Sequence, residues 1–239
     1  MSISLDELDS HLFKCADIIR NTVDKTDYKD YILPLVFYKT ISDTYQDQYE
    51  QRLEAYGDEE IAKREAFYDF VVPEEYAWEE LRAQSKNVDE FINEAFDALS
   101  EANEGKLEGV LRADYVAADA LDDQKLSTLI EHLSTHNLSI EQIPPDMLGE
   151  AYMDLVRHFA NEEGRDGGEF FTPPQIVRLM VRLVEPFEDG DRFHDPTSGY
   201  GGMLVEAAYH YRDEQDGDYS KLTFTGQEMN PDIYAMAKM

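Results

Sequence analysis

The residues best suited to chemistry lie late in the chain, in the run Asp195-Pro-Thr-Ser-Gly-Tyr-Gly-Gly-Met-Leu204. Gly199, Gly201 and Gly202 allow a tight turn and a close approach of backbone to a ligand. A helix opening behind such a turn offers free N–H groups and partial positive charge to a carboxylate or phosphate. Asp195 at the strand tip can accept from a ligand amine or hydroxyl. A glycine-rich turn that only packs would read similarly, and Glu228, in the segment Gly226 to Pro231, favours a ligand. An acid just beyond the second strand of such a unit is placed to bond ribose hydroxyls. Its separation from Asp195 exceeds the usual ~20 residues. The polar insertion from Asp213 to Ser220 accounts for the excess. A third run is Glu169, Phe170, Phe171, Thr172, Pro173 and Pro174. As geometry it predicts a helix start, with Thr172 as N-cap and Pro173 first in the helix. That geometry leaves the same N–H groups open to a ligand.

Elements able to position these residues follow from the spacing of apolar side chains. Residues 1–165 read as mostly helical. Leu5, Leu8, Leu12, Ala16 and Ile19 share one face, and Tyr31 to Tyr49 continues the style with Pro34 near its start. Phe91 to Leu99 and Leu126 to Leu133 predict two more helices, the second opened by Asp122 and Asp123. Pro144 and Pro145 break the chain, and Asp146 caps a helix over Met147 to Asn161. Gly164 to Gly168 predicts a flexible connector. After it come a helix over Ile176 to Val184, a strand over Arg192 to His194, and a helix over Met203 to Tyr211. A strand over Lys221 to Thr225 and a helix from Pro231 to Met239 complete the series. Helix, strand, helix, strand, helix is the start of a doubly wound α/β sheet. The reading is therefore an all-helical domain over 1–165 followed by the first part of an α/β domain over 166–239.

Composition narrows the classes. With 239 residues, 42% of them hydrophobic, the chain can bury a sizeable core. No run of ~18 apolar residues occurs, so no membrane partner is expected. The start, Met1 to Asp9, has neither a basic stretch nor an apolar signal core, which points to the cytoplasm. Cys15 stands alone, so no disulfide closes within the chain. Its apolar helix face suits packing better than nucleophilic chemistry. The charge is extreme: 52 Asp and Glu against 21 Lys and Arg, a net −31. Residues 1–168 hold 39 acids and 15 bases and residues 169–239 hold 13 and 6, so the excess is no acidic tail. Self-repulsion of this size weakens the compact state unless salt screens it, which points to a halophile's cytoplasm, the plainer alternative being an ordinary acidic protein. His132 and His136 stand four apart, but no Glu follows the first and no third ligand has metal spacing. They are read as a solvated helix face.

Together the three late runs resemble the N6-adenine DNA methyltransferase family of type I restriction–modification systems, specifically its modification (HsdM) subunit. Leu12 to Arg20 and Tyr28 to Leu33 look like the start of that family's helical N-terminal domain. Gly168 to Pro174 looks like its Phe-Thr-Pro motif, Asp195 to Leu204 like its Asp-Pro-x-x-Gly-x-Gly-Gly loop, and Gly226 to Pro231 like its ribose-binding segment. The resemblance implies a class I, Rossmann-like domain that binds S-adenosyl-L-methionine (AdoMet). Glu169, Phe170, Phe171, Thr172, Pro173 and Pro174 would hold the methionine end. Thr197, Ser198, Gly199 and Gly201 would run beneath the cofactor, with Asp195 near its amino group and Glu228 on the ribose. Tyr200 departs from the small Ser or Thr usual there.

The family's catalytic motif, Asn/Asp-Pro-Pro followed by an aromatic, has no match. Pro144-Pro145 and Pro173-Pro174 lack both the preceding Asn and the following aromatic, and Asn230-Pro231-Asp232 is a different sequence. The expectation is a truncated product or fragment that holds no catalytic residue and is inactive alone. The implied partners are DNA, through the complete complex, a specificity subunit, a restriction subunit and a second modification subunit. A non-catalytic assembly module docking to the DNA-reading subunit is the alternative. A nicotinamide dinucleotide enzyme ranks last, because Gly199-Tyr-Gly-Gly lacks the G-x-G-x-x-G spacing. The acidic surface suits DNA poorly, so DNA contact is expected from the partner and from parts of the family fold beyond these residues.

Overall fold

The computed structural model describes residues 3–24, 27–107, 109–118, 121–162 and 172–238. It divides into two compact units, Met1–Glu163 and Gly164–Met239. In the first, α1 (Leu5–Ile19) opens with a reciprocal Ser4/Glu7 capping box and buries Leu8, Leu12, Cys15, Ala16 and Ile19. Helix α2 (Tyr28–Tyr56) is longer at both ends than its apolar pattern predicts. Its last turns carry Tyr49, Leu53 and Tyr56 among charged and amide side chains, too sparse a pattern to mark the helix end. They are held instead by Gln46 donating to Glu50 (2.7 Å) and Arg52 donating to the Phe67 carbonyl (2.6 Å). Gly57 then ends the helix at φ 63° with its N–H on the Leu53 carbonyl.

The unit continues through α3 (Glu59–Ala62), α4 (Trp78–Ala83), α5 (Val88–Ala102), α6 (Tyr115–Ala118), α7 (Asp123–Leu133) and α8 (Pro145–Glu162). Helix α7 is capped by the Asp122 side chain, which accepts from the Lys125 N–H. Leu8, Leu12, Leu35, Leu81, Ile92, Leu99, Leu126 and Leu155 are fully buried in the core. Burial of one such side chain stabilises by about 1.5–3 kcal/mol. Tyr38 packs edge-on to Trp78 and Phe96, and the Trp78 indole N–H donates to Ser134 Oγ at 2.8 Å. Lys39 and Asp43 form a buried ion pair, and Asp43 also accepts from the Leu138 N–H at 2.7 Å.

The histidine reading needs correction. Helix α7 ends at Leu133, so His136 is not on it, and both imidazoles pack against His11 of α1, with ring centroids 4.3 and 4.7 Å away. His132 Nε2 lies 2.8 Å from the His11 carbonyl oxygen. The partner is 121 residues away in sequence, beyond the reach of local spacing. Among the described residues no group of His, Cys, Asp and Glu is arranged to hold a metal ion.

The second unit runs α9 (Pro174–Val184), β1 (Arg192–Asp195), α10 (Gly202–Gln215), β2 (Thr223–Gly226) and α11 (Pro231–Lys238). The strands pair in parallel, with Asp195 opposite Gly226. Strand β2 starts two residues later than predicted because Tyr219–Lys221 forms a 3₁₀ turn. Val181, Phe187, Ala207, Tyr211 and Leu222 make the core, with Phe193, Met203 and Phe224 against it. Helix α9 packs on α10, where Arg178 meets Glu206 (3.5 Å) and Arg182 meets Glu214 (3.4 Å). Its opposite side leaves Ile176, Leu179, Met180 and Leu183 exposed.

Candidate functional site

The turn after β1 and the turn after β2 lie side by side because parallel pairing continues past the strand ends. The Gln227 N–H donates to the Asp195 carbonyl (2.9 Å) and the Ser198 N–H to the Gln227 carbonyl (2.9 Å). Asp195 closes its own turn, Oδ1 accepting from the Thr197 N–H at 3.0 Å. Gly199 (φ 53°) and Gly201 (φ 81°) take the left-handed conformation that turns the chain into α10. Gly201 is the N-cap and brings no capping side chain. The first-turn N–H groups of α10, which have no intrahelical partner, therefore face outward toward any anion placed there.

Glu228 joins the same cluster. Its Oε2 accepts from the Gly199 N–H at 3.2 Å and its Oε1 from the Asn230 N–H at 2.7 Å. A carboxylate offers about four lone-pair sites, so both oxygens retain capacity for ligand hydroxyls. Gly226 has a role its place in the sequence did not reveal: a Cβ there would stand 2.8 Å from Ser198 Oγ and 2.9 Å from Ser198 Cβ. The small residue lets the two turns close on each other. Its only sequence signal was a glycine ending a strand just before an acid.

The insertion between the strands is ordered. Helix α10 extends to Gln215, and Asp216 (φ 53°) ends it. Gly217 then lies against the Tyr211 ring, where a Cβ would come within 2.4 Å. Tyr211 donates to Asp189 Oδ1 (2.6 Å), whose other oxygen accepts from Lys221 Nζ (2.7 Å). The hydrogen bond to Asp189, with some burial, pushes the Tyr211 phenol up to about 12. The ion pair and hydrogen bonds hold the Asp189 carboxyl below its usual range. The insertion thus fixes the start of β2 without entering the turns.

Asp195, Thr197, Ser198, Gly199, Gly201 and Glu228 are therefore brought to one place. Glu169, Phe170 and Phe171 lie outside the described residues. Thr172, Pro173 and Pro174 are exposed at the start of α9, and the hydrogen-bonded cluster does not include them. The expected cap shifts by one residue: Pro173 is the N-cap (φ −52°, ψ 136°) and Pro174 the first helical residue. A residue preceding proline is pushed out of the helical region, so Pro173 cannot open the helix. Tyr200 is half-buried beside the turn.

Comparison with known proteins matches residues 8–133 to the HsdM N-terminal domain and residues 144–239 to the N-6 DNA Methylase domain. The type I restriction enzyme MjaIX methylase subunit of Methanocaldococcus jannaschii is 28% identical over 98% of this chain and 44% of its own length. The type I restriction enzyme HindI methylase subunit of Haemophilus influenzae is 33% identical over 64% of this chain and 35% of its own. The chain thus spans less than half the length of these curated relatives. The crystal structure of a type I restriction-modification system methyltransferase subunit from Streptococcus thermophilus superposes at a TM-score of 0.74. It covers 98% of this chain and 55% of that one at 20% identity, a likeness of fold. The shared fold is a helical domain leading into a partial methyltransferase-like α/β region.

Proposed function

Because this chain belongs to the family of type I restriction enzyme methylase subunits, with its HsdM N-terminal and N-6 DNA Methylase domains, we propose that its second unit binds AdoMet at the paired turns. The observation carrying this reading is the interlocked cluster of Asp195, Ser198, Gly199 and Glu228 at the ends of two parallel strands. Open α/β sheets take their ligands at the carboxyl ends of the strands, where this cluster lies. The residues present fit the group chemically. The uncapped N-terminus of α10 suits the cofactor's carboxylate, Asp195 its amino group, and Glu228 its ribose hydroxyls. Thr197 and Gly201 would line the floor beside Ser198 and Gly199. The run Glu169 to Pro174 would hold the methionine end.

AdoMet, when bound, supplies an electrophilic methyl group on sulfur. The contribution of this chain is to bind and orient it. In the whole enzyme the methyl would go to adenine N6 of DNA, with the base turned out of the duplex. The polar acceptor and stacking aromatic that this needs are not among these residues. Residues 1–165 would serve assembly with a specificity subunit, a restriction subunit and a second modification subunit, in the cytoplasm. Among the described residues no helix is long and apolar enough to cross a membrane.

Calorimetric titration of the chain with AdoMet and with NAD tests the reading. Saturable AdoMet binding without NAD binding is expected. NAD binding in the absence of AdoMet binding would overturn it.

A further inference from the structure

We infer that Glu228 is a positioning residue for the glycine turn as well as the ribose acceptor, setting the turn in its ligand-ready shape before a ligand arrives. The inference deepens the AdoMet reading and shares its site. The Gly199 N–H sits where the chain has left β1 and has not yet entered α10, so neither the strand ladder nor the helix supplies an acceptor for it. Glu228 Oε2 supplies one from the other turn. The second bond, from the Asn230 N–H to Oε1, ties the opposite side of the same carboxylate. Two N–H donors from two different turns fix both the rotamer and the plane of the group.

The backbone bonds Gln227 to Asp195 and Ser198 to Gln227 stop one residue short of Gly199. The side chain of Glu228 therefore adds the next rung of that ladder. Charge-assisted bonds of this kind are the stronger class. The ribose acid and the turn are then coupled: loss of the carboxylate loosens Gly199 even when no ribose hydroxyl is present to be bound. A purely ligand-directed acid would leave the free turn unaffected.

Two measurements on the full chain separate these roles. NMR amide exchange on the ligand-free protein should show Gly199 about tenfold less protected in Glu228→Ala, with Glu228→Gln, which keeps one acceptor oxygen, in between. Calorimetry should compare S-adenosyl-L-homocysteine with its 2′,3′-dideoxy form, which lacks the hydroxyls. Glu228→Ala should weaken the intact ligand strongly and the dideoxy ligand still by about three- to tenfold. Unchanged Gly199 exchange together with unchanged dideoxy binding would overturn the inference. If the unaltered chain binds neither ligand, the cofactor reading fails while the exchange result still decides the clasp. If Glu228→Ala does not fold, Glu228→Gln carries both arms, with a partial loss of Gly199 protection expected relative to the parent and an unchanged Gly199 refuting the clasp.

Discussion

Replacement of Gly226 by alanine probes the closure of the two turns. The added methyl would lie 2.8 Å from Ser198 Oγ, 2.9 Å from Ser198 Cβ and 3.5 Å from Leu204 Cδ1. Carbon atoms in good contact stay ~3.5–4.0 Å apart, so a shift of roughly 0.6–1 Å is required. Rotation of the serine hydroxyl relieves only the first contact, because Ser198 Cβ is fixed to a backbone whose N–H is bonded to the Gln227 carbonyl. The strands must part, or the turn must move. Overpacking of this kind costs about 1–3 kcal/mol, equivalent to a lowering of Tm by ~2–4 °C per kcal/mol for a chain of this size. The displaced turn should also lose AdoMet affinity, by tenfold or more. Thermal unfolding and calorimetric titration of Gly226→Ala measure both. Adding Ser198→Gly removes the Oγ and Cβ from the clash and should restore most of the stability. Wild-type stability and affinity in Gly226→Ala would show that the turns are not closed on each other.

His11 gives a pH dependence. Burial first, then His132, His136 and Lys39, lower it to about 3 in the folded chain. An unfolded imidazole takes a proton below ~6.5 and the folded one does not, so stability is complete above that pH and falls as pH drops from there toward 3. The slope should approach ~1.4 kcal/mol per pH unit, and urea titrations of His11→Leu should show it reduced. Lys39→Met leaves Asp43 buried with only the Leu138 N–H as a partner and should cost ~3 kcal/mol in chemical denaturation. An unchanged midpoint would mean that Asp43 is protonated in the parent. The net charge of −31 predicts higher Tm in molar KCl than in dilute buffer, because salt screens the self-repulsion of the acidic surface. Greater stability at low salt would show that self-repulsion does not limit the fold.

The turns were legible in the sequence because the chemistry of a ligand loop restricts its residue types. Asp195, Gly199, Gly201 and Glu228 each stand where a turn or an acceptor is required, and the structure joins them. Less legible features depend on partners far along the chain or on backbone rules between neighbours. The histidine cluster needed His11. The start of α9 moved by one residue because proline restricts the residue before it. The end of α2 carries only scattered apolar residues, and contacts to the following segment, Arg52 on the Phe67 carbonyl and Tyr56 on the Phe67 ring, help hold it. Gly226 read as part of a binding segment, but its contact with Ser198 required the register of β1 on β2.

Amide chemical shifts recorded during an AdoMet titration report whether the cofactor sits at the paired turns. Saturable shifts are expected, concentrated at residues 195–202 and 227–230, with further changes at the start of α9. Shifts confined to residues outside these turns, or none at millimolar AdoMet, would contradict AdoMet binding there.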